Sequence, residues 1–305
     1  MKPENVIACP GCREPSKIDA HGRTYVSAYD KTRYHHHRCQ RCDLEFWSPL
    51  RMIPAFYEQE GIESYESFHA GTRPFPHWAL PFFDRIDART GLLLDVGCGD
   101  GAFLERAAQC GFTVHGIDLD QRSISVARGQ RKLADVESRT FAEHVEVCAR
   151  RGTRYDVVTF FEVLEHQDDP LEFLRKVTSI LVAGGGIAGS TPNRERFFGR
   201  IEQRFDAGDL PPHHFLWFSA SVLHDLLVRA GFRDVVVMPC GGLDLNELRK
   251  RLARLVTRAF GLFGRRWPGL VGVVASIVAW PAACVFWLGL RHRPRHLYFQ
   301  ARWQN

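Results

Sequence analysis

The stretch that most constrains this chain is a short apolar run, Leu92–Val96, followed by glycines at positions 97, 99 and 101. The run predicts a buried strand, because it is short, almost wholly apolar and bounded by glycine. The glycines predict a tight turn whose backbone can take positive φ and approach a ligand closely. The residues after the turn predict a helix, whose first N–H groups have no partner within the helix. The stretch therefore predicts a strand, a ligand-binding turn and a helix in direct succession.

An acidic residue, Asp118, follows this turn at a spacing typical of ribose-binding acids. A second predicted strand, Thr113–Ile117, ends at Asp118, about twenty residues after the glycines, where a carboxylate can accept hydrogen bonds from both hydroxyls of a ribose. The dinucleotide pattern G-x-G-x-x-G is not met, because position 102 is Ala102. The glycines are instead spaced two apart, and Asp95 precedes them.

This pattern, from Asp95 to Gly101, resembles motif I of the class I S-adenosylmethionine (SAM) methyltransferases, E/D-x-G-x-G-x-G. The resemblance implies that the turn holds the methionine part of SAM, that Asp95 organises the loop and meets the ammonium group through water, and that Asp118 holds the ribose. The alternative is an ordinary glycine-rich turn, which the correctly spaced Asp118 disfavours. The resemblance predicts SAM contacts at Asp95, Gly97, Cys98, Gly99, Gly101, Asp118, Leu119 and Phe160. It places the adenine near Arg139–Phe141, where the Gly-Asp of the family pattern is missing.

Strand and helix patterns alternate along the chain that follows. Strands are predicted at 155–162, 187–190 and 234–238, and helices at 171–181, ending in Gly184–Gly186, and at 219–230, while 141–147 fits either. The alternation predicts an α/β fold, a doubly wound and mostly parallel sheet with helices on both faces. The resemblance runs from about Leu92 to Met238 and implies a seven-stranded Rossmann-like methyltransferase sheet. Within that superfamily the chain is most similar to the ubiquinone-biosynthesis O-methyltransferases and the sugar-modifying methyltransferases.

Candidate catalytic residues follow the strand at 155–162. Glu162, Glu165 and His166 form Glu-x-x-Glu-His at the edge of the sheet where ligands bind in open α/β folds. In the quinone O-methyltransferases and some RNA-end methyltransferases this motif ligands a divalent cation, and His213 or His214 could add a ligand or a base. We therefore expect either a Mg²⁺ ion here, or His166 as a general base without metal, or a structural role for the motif.

The N-terminal part contains two close cysteine pairs, Cys9-x-x-Cys12 and Cys39-x-x-Cys42, with 26 residues between them. This spacing predicts a zinc ribbon in which four thiolates form a closed, structural zinc site. A pair of disulfides would need an oxidising compartment, and Met1–Cys12 lacks the apolar core of a secretory signal. Similar methyltransferases carry such a ribbon beside the active site, where it shapes the substrate cleft. The neighbouring His35–His37 are expected at the surface.

The C-terminal part has the composition of a membrane-binding segment. The 24 residues Trp267–Leu290 carry no charge, and a basic amphipathic helix is predicted at Leu245–Phe263. Residues 249–305 hold 11 of the 40 Lys and Arg residues and none of the 35 acidic residues, so the rest of the chain carries 29 basic against 35 acidic residues, a net charge of −6. The basic balance therefore belongs to this segment, which makes nucleic acid an improbable partner.

The end of the chain constrains how that segment meets a bilayer. His296–Arg302 reads as a final strand, and the resemblance implies that it pairs antiparallel with Asp234–Met238. A single crossing would leave this strand on the wrong side, and Pro281 interrupts the apolar run. We expect a dipping helix or a re-entrant hairpin on the cytoplasmic face of a membrane, the alternative being a hydrophobic dimer interface.

These patterns predict four parts: a zinc ribbon at 1–48, linker helices at 49–90, a SAM-dependent methyltransferase domain at 91–243 and 295–305, and a membrane-associated insertion at 244–294. The expected reaction is O-methylation of a hydroxyl on a small-molecule or membrane-linked acceptor: a lipid-linked sugar, a glycolipid or a prenylated quinol. The two alternatives are an RNA or DNA methyltransferase that recognises its substrate through the ribbon, and a non-catalytic membrane scaffold with a SAM fold. The patterns leave O- versus N-methylation and the oligomeric state open.

Overall fold

A computed structural model describes residues 6–17, 22–53, 56, 63–86, 90–196, 207–241 and 294–304. The predicted amphipathic helix at 245–263 and the apolar run at 267–290 lie outside these ranges. No helix within the described ranges is long and apolar enough to cross a bilayer.

The described chain alternates strands and helices as the sequence predicts. The strands are β1 Val6–Ala8, β2 Pro15–Lys17, β3 Thr24–Val26, β4 Arg33–Arg38, β5 Glu45–Ser48, β6 Gly91–Val96, β7 Phe112–Asp118, β8 Val136–Ser138, β9 Tyr155–Phe161, β10 Leu181–Pro192, β11 Leu216–Trp217, β12 Phe232–Cys240 and β13 His296–Trp303. The α-helices are α1 Glu63–Ala70, α2 Leu80–Arg85, α3 Ala102–Gln109, α4 Gln121–Gly129, α5 Phe141–Arg151, α6 Pro170–Ser179 and α7 Ala220–Arg229. Short 3₁₀ helices lie at His77–Ala79, Leu164–His166 and Ala207–Asp209.

The main sheet has seven strands in the order β12-β13-β10-β9-β6-β7-β8. Strands β8, β7, β6, β9 and β10 run parallel to one another. Strand β13 runs antiparallel to both of its neighbours, β10 and β12. This confirms the α/β Rossmann-like expectation and the antiparallel pairing of the last two strands. Buried apolar side chains form a core on each face of the sheet.

Local capping signals set several helix boundaries. Asp169 caps α6 through the N–H of Glu172, and Pro170 is its first residue, as the sequence predicts. The ambiguous stretch from Phe141 is helical, because Thr140 and Glu143 form a reciprocal capping box. The helix predicted at 171–181 does not end in Gly184–Gly186 as expected. This helix, α6, ends at Ser179, and the glycines lie in β10 at a register shift against β9.

The four predicted metal-binding cysteines lie together in the N-terminal part. The Sγ atoms of Cys9, Cys12, Cys39 and Cys42 lie within 4.8 Å of one another, and none forms a disulfide. Two sulfur pairs, Cys9–Cys42 and Cys12–Cys39, are each 3.5 Å apart, close to the edge of about 3.8 Å that four 2.3 Å zinc–sulfur bonds give a tetrahedron. The contact between Cys9 and Cys42 lowers the pKa of Cys42 and raises the pKa of Cys9. The cluster is therefore consistent with a zinc ribbon.

The ribbon shares a sheet with the rest of the chain. Strands β3, β4 and β5 are joined by β11, whose Leu216 and Trp217 pair antiparallel with Phe46 and Glu45. Phe215, Trp217 and Phe218 are buried in the core cluster that includes the ribbon. Residues around position 216 therefore belong to the packing of both parts.

The histidine run beside the second cysteine pair is not at the surface as expected. His37 is buried, and its Nε2 lies 2.7 Å from the Ser48 hydroxyl. His36 packs against Trp47 and Trp217 with ring centroids 5.1 and 5.0 Å away. His36 and His37 point to opposite faces of β4, because successive side chains of a strand alternate. Both faces are covered, since Phe46 stacks on His37 at a centroid distance of 5.0 Å.

We predict that Cys39→Ser removes about one zinc equivalent per chain and lowers the unfolding temperature by at least about 5 °C, because a closed four-sulfur site contributes directly to folding. The matched control is Cys110→Ser, at an exposed cysteine outside the cluster. Elemental mass spectrometry and thermal unfolding measure the two effects. Equal zinc content in the two variants would contradict the assignment.

Candidate active site

A cavity of about 460 Å³ opens at the carboxyl ends of the parallel strands β6, β7 and β9. This volume suits a small-molecule ligand, and the position is the edge at which open α/β sheets bind ligands. The loops after these three strands supply its lining together with residues from α1, the 3₁₀ helix at 77–79, the segment around 208–214 and the start of β13.

The glycine turn forms one wall of the cavity. Gly97, Gly99 and Gly101 have φ values of 76°, 52° and 77°, which side chains with a Cβ rarely adopt. The N–H groups of Gly97 and Cys98 donate to the carbonyl of Ile117, so the turn is tied to the end of β7. The structure thus brings the predicted cofactor-binding positions 97, 98 and 99 to the cavity, whereas Gly101 packs against Leu133 and Ala127 and is not among the lining residues.

Asp118 connects the two loops that the sequence assigns to SAM. Its Oδ2 accepts a hydrogen bond from the Gly99 N–H at 2.7 Å, and its Oδ1 accepts one from the Asp120 N–H at 2.9 Å. A carboxylate has about four lone-pair sites, so these two bonds leave capacity for ribose hydroxyls. Leu119 lines the cavity beside it.

Two buried acids in this wall favour a cationic ligand. Burial raises the pKa of Asp95 to about 8, although the Thr159 hydroxyl donates to its Oδ1 at 2.7 Å. Burial also raises the pKa of Asp118, against the lowering effect of its backbone donors. A positively charged ligand would offset the cost of ionising these carboxyls.

Two predictions about the edges of the cofactor region have different outcomes. Arg139, Thr140 and Phe141 line the cavity, where the family pattern places the adenine. Phe160 does not line it: its ring is fully buried between Phe173 and Phe299, at 5.2 Å from each, because alternation along β9 points it into the core. The neighbouring Phe161 lines the cavity instead.

The sequence did not indicate the wall formed by the segment around α1. Phe68 and Arg73 line the cavity, with the Arg73 guanidinium 3.9 Å from the centre of the Phe68 ring. The same ring borders Gly99, where an added Cβ would lie 2.8 Å from it. His69 Nε2 lies 2.6 Å from Asp120 Oδ2 and so ties α1 to the loop after β7. No motif marks these residues, because only the folded chain brings α1 over the glycine turn.

Three histidines gather on the other side of the cavity. One ring nitrogen each of His166, His213 and His214 lies within a 4.8 Å group that could hold a metal ion. His166 Nδ1 donates to the carbonyl of His213, and His213 Nδ1 donates to the carbonyl of Gly208 at 2.7 Å. Because a carbonyl only accepts, His166 and His213 each carry a proton on Nδ1.

The surroundings of these histidines fit a cation. Glu165 is buried, and neither of its oxygens has a hydrogen-bond donor among the described residues, while its Oε1 lies 4.0 Å from His166 Nε2 and 3.9 Å from His214 Nε2. Burial raises the pKa of Glu165 and lowers the pKa values of His166 and His214. His214 Nδ1 also lies 3.4 Å from Asp209 Oδ1. Neutral imidazoles beside a buried carboxyl are a donor set that suits a metal ion.

Glu162 does not join this cluster, although the motif places it three residues before Glu165. Its Oε1 accepts a hydrogen bond from the Ser190 hydroxyl at 2.6 Å, and its Oε2 lies 3.6 Å from His296 Nε2. Glu162 has a φ of 54°, and the 3₁₀ helix Leu164–His166 follows it. This turn leaves Glu162 on the cavity wall and buries Glu165 beside His166 and His214, outside the residues that line the cavity.

Residues 69–237, more than half of the chain, match the family model described as a methyltransferase domain. Among curated proteins, a ubiquinone biosynthesis O-methyltransferase from Bordetella avium is 39% identical over 104 residues, covering 33% of this chain and 43% of the relative. One from Leptothrix cholodnii is 41% identical over 108 residues, covering 33% and 44%. The chain therefore spans less than half the length of the curated relatives that it matches.

Solved structures share the fold at low sequence identity. Phosphoethanolamine N-methyltransferase 2 from Haemonchus contortus, in complex with S-adenosyl-L-methionine, aligns with a TM-score of 0.52 at 16% identity, covering 86% of this chain and 62% of that chain. A chain from the complex that contains the Haloferax volcanii Trm112 methyltransferase activator aligns with a TM-score of 0.53 at 15% identity, covering 80% and 96%. These likenesses show the fold.

We predict that Asp118→Ala weakens SAM binding at least about 30-fold, because it removes a charged acceptor from the ribose and from the Gly99 loop. The control is Asp156→Ala, whose carboxylate accepts from the Leu92 N–H at 2.7 Å, at the opposite end of β6. Titration calorimetry with SAM measures both affinities. Unchanged affinity in Asp118→Ala would overturn the ribose assignment.

Proposed function

The chain belongs to the methyltransferase-domain family and is a SAM-dependent methyltransferase, and we propose that it methylates a hydroxyl group on a membrane-linked acceptor. The family match and the related O-methyltransferases establish the reaction class. The acceptor and the membrane are our inference from the cavity and from the composition of residues 244–294.

The observation that carries this proposal is where the insertion leaves and re-enters the fold. Gly241, the last described residue before it, packs so closely on His77 that an added Cβ would lie 2.6 Å from that ring. At its end, Asn193 holds the chain by donating to the carbonyls of Pro294 at 3.1 Å and Arg295 at 2.7 Å. The next residue, His296, lines the cavity, as Arg295 does. Both ends of the basic and apolar insertion therefore adjoin the active site.

This arrangement gives the insertion a use in catalysis. An amphiphilic acceptor that partitions into the bilayer would reach the cavity beside the segment that binds the membrane, and confinement to one surface raises its effective concentration. A lipid-linked sugar, a glycolipid or a prenylated quinol has the required hydroxyl and apolar tail. We propose a position at the membrane surface for this reason, and the reduced thiols that a four-cysteine zinc site requires favour its cytoplasmic face.

Different residues of the cavity would bind SAM and the acceptor during methyl transfer. Methyl transfer needs the acceptor oxygen in line with the methyl–sulfur bond and needs a group that takes the hydroxyl proton. We propose that Asp95, the glycine turn and Asp118 hold SAM and that Arg73, beside the turn, pairs with its carboxylate. The half of the cavity lined by Trp78, Phe161 and His296 would then receive the acceptor.

We further propose that Glu165, His166, His213 and His214 hold a divalent metal ion. The set offers three imidazoles and one carboxylate, and imidazole suits first-row transition ions, whereas Mg²⁺ prefers oxygen ligands. A first-row transition ion therefore fits these residues better than the Mg²⁺ expected from the motif. When bound, such an ion would lower the pKa of a nearby acceptor hydroxyl.

The alternative of nucleic-acid recognition by the ribbon gains no support from its basic residues. Arg13, Arg38 and Arg41 form ion pairs with Asp169, Asp43 and Glu14. Arg23 lies over the Trp47 ring at 5.6 Å. The first three side chains thus take part in ion pairs within the ribbon and with the cap of α6. The second alternative, a membrane scaffold without catalysis, is disfavoured because the residues of the cofactor wall are intact.

We predict that methyl-labelled SAM, purified full-length protein and a membrane fraction yield label in the organic phase after solvent extraction, because the acceptor carries an apolar tail. The control is Asp118→Ala, which should transfer at most about 3% as much label at low SAM concentration, in line with its weakened binding. Label confined to the aqueous phase would contradict the membrane-linked acceptor and leave the methyltransferase assignment intact.

We predict that His214→Ala and His213→Ala each lose about one equivalent of a transition metal per chain, because a missing imidazole typically costs most of the affinity of such a site. His224→Ala, at an exposed histidine on α7, is the matched control. Elemental mass spectrometry of the purified proteins gives the answer without an activity assay. Identical metal content in all three variants would refute the site.

A further inference from the structure

A second polar group lies in the cavity apart from the three histidines. It consists of Glu162 after β9, Ser190 in β10 and His296 at the start of β13. These strands are neighbours in the sheet: Ser190 pairs with Phe161 on one side and with Tyr298 on the other. Three strands that are distant in sequence thus contribute one residue each to a single cluster.

The cluster holds the Glu162 carboxyl in place from both sides. The Ser190 hydroxyl, itself fully buried, donates to Oε1 at 2.6 Å, and His296 Nε2 faces Oε2 at 3.6 Å. The backbone is fixed as well, because the Glu162 N–H donates to the Ser190 carbonyl at 2.9 Å. A left-handed φ of 54° at a non-glycine residue adds a cost that is typical of functional positions.

The imidazole of His296 is itself fixed by packing. Its ring lies 4.8 Å from Trp78 at an interplanar angle of 35° and 5.4 Å from His77. Gly241 closes the remaining side, since an added Cβ there would lie 3.5 Å from His296 Nδ1. The ring therefore keeps Nε2 directed at Glu162.

The charges around Glu162 suit a group that exchanges a proton near neutral pH. Burial raises its pKa to about 7, opposed by the Ser190 hydrogen bond and by the charges of Arg73, Arg295 and Arg196. The other titratable groups that interact with it are Glu165, Cys240 and His296. Because its raised pKa lies near 7, the carboxylate form becomes abundant as the pH rises through 7.

We propose that Glu162 is the general base of the methyl transfer and that His296 is the positioning residue that orients its carboxylate, a role separate from the histidine cluster. The proposal rests on hydroxyl methylation as the proposed function. The acceptor O–H bond breaks and its proton goes to Glu162, while the oxygen forms a bond to the methyl carbon. The methyl–sulfur bond breaks, its electron pair stays on sulfur, and neutral S-adenosylhomocysteine is released.

The competing role for Glu162 is to bind the ammonium group of SAM. The two roles differ in what a neutral replacement removes. Glu162→Gln keeps size and hydrogen bonding, so loss of a base lowers the rate of transfer and spares SAM affinity, whereas loss of an ammonium partner lowers the affinity itself.

The test compares Glu162→Gln, His296→Gln and the control His224→Gln in the full-length protein. Single-turnover transfer of labelled methyl from SAM to the membrane fraction is measured between pH 5.5 and 9, with SAM affinity measured by calorimetry. For Glu162→Gln we expect at least about a 100-fold slower transfer, the usual contribution of a general base, with SAM affinity within about threefold. The rise of the wild-type rate through pH 7 should vanish in Glu162→Gln and move to higher pH in His296→Gln.

A second readout needs no acceptor. In protein labelled with ¹³C at glutamate carboxyls, the signal that is lost in Glu162→Gln belongs to Glu162, and its titration midpoint should rise in His296→Gln and stay unchanged in His224→Gln. If the wild type labels no membrane component, the proposed acceptor fails, and this titration still decides whether the pair exists. Loss of SAM affinity in Glu162→Gln would overturn the inference. So would a Glu162 titration midpoint that is the same in His296→Gln as in the wild type.

Discussion

The parallel pairing of β6 with β7 and β9 is the constraint on which the site depends. Asp95 lies opposite Gly116 on one side and Thr159 on the other, so the Thr159 hydroxyl can donate to its carboxylate. Since carboxyl ends of parallel strands lie at one edge, the glycine turn, Asp118 and Glu162 meet there although 65 residues separate the first glycine from Glu162. The hydrogen bonds from Gly99 and Asp120 to Asp118 then join two of these loops into one wall.

The cysteine ribbon supports the same site from outside the main sheet. Its strand β5 pairs with Leu216 and Trp217, which follow His213 and His214 within a few residues. Arg194, just after β10, forms ion pairs with Asp43 and Glu45 of the ribbon. A metal in the four-cysteine cluster would therefore stabilise the segment that carries the histidines as well as the ribbon itself. This gives a physical reason for a four-cysteine cluster to lie beside the candidate active site.

The residues recognised in the sequence are those whose role follows from local spacing. The glycine pattern with Asp95 and Asp118 and the cysteine pairs each depend on a few neighbouring positions, and the structure ties Gly99 to Asp118 and brings the four cysteines together. Arg73, Asp209 and His296 were missed, because their place in the cavity depends on where α1, the 207–209 turn and β13 pack. Phe160 and the histidines of β4 were misplaced for a related reason: alternation along a strand decides which face each residue takes, and neighbouring positions point in opposite directions.

By itself, the sequence determined the fold class, the cofactor turn and the reaction class, because alternating strands and helices and a spaced glycine motif are local patterns with few structural solutions. It also determined the composition of the insertion at 244–294; of the described residues that flank it, Gly241 lies beside His296 and Arg295 lines the cavity. Only the tertiary structure decided how the Glu-x-x-Glu-His motif is divided. A left-handed turn at Glu162 and the 3₁₀ helix after it send one carboxyl to Ser190 and His296 and the other to His166 and His214. Those partners come from strands and loops far along the chain, and long-range packing, which no local pattern encodes, brings them together.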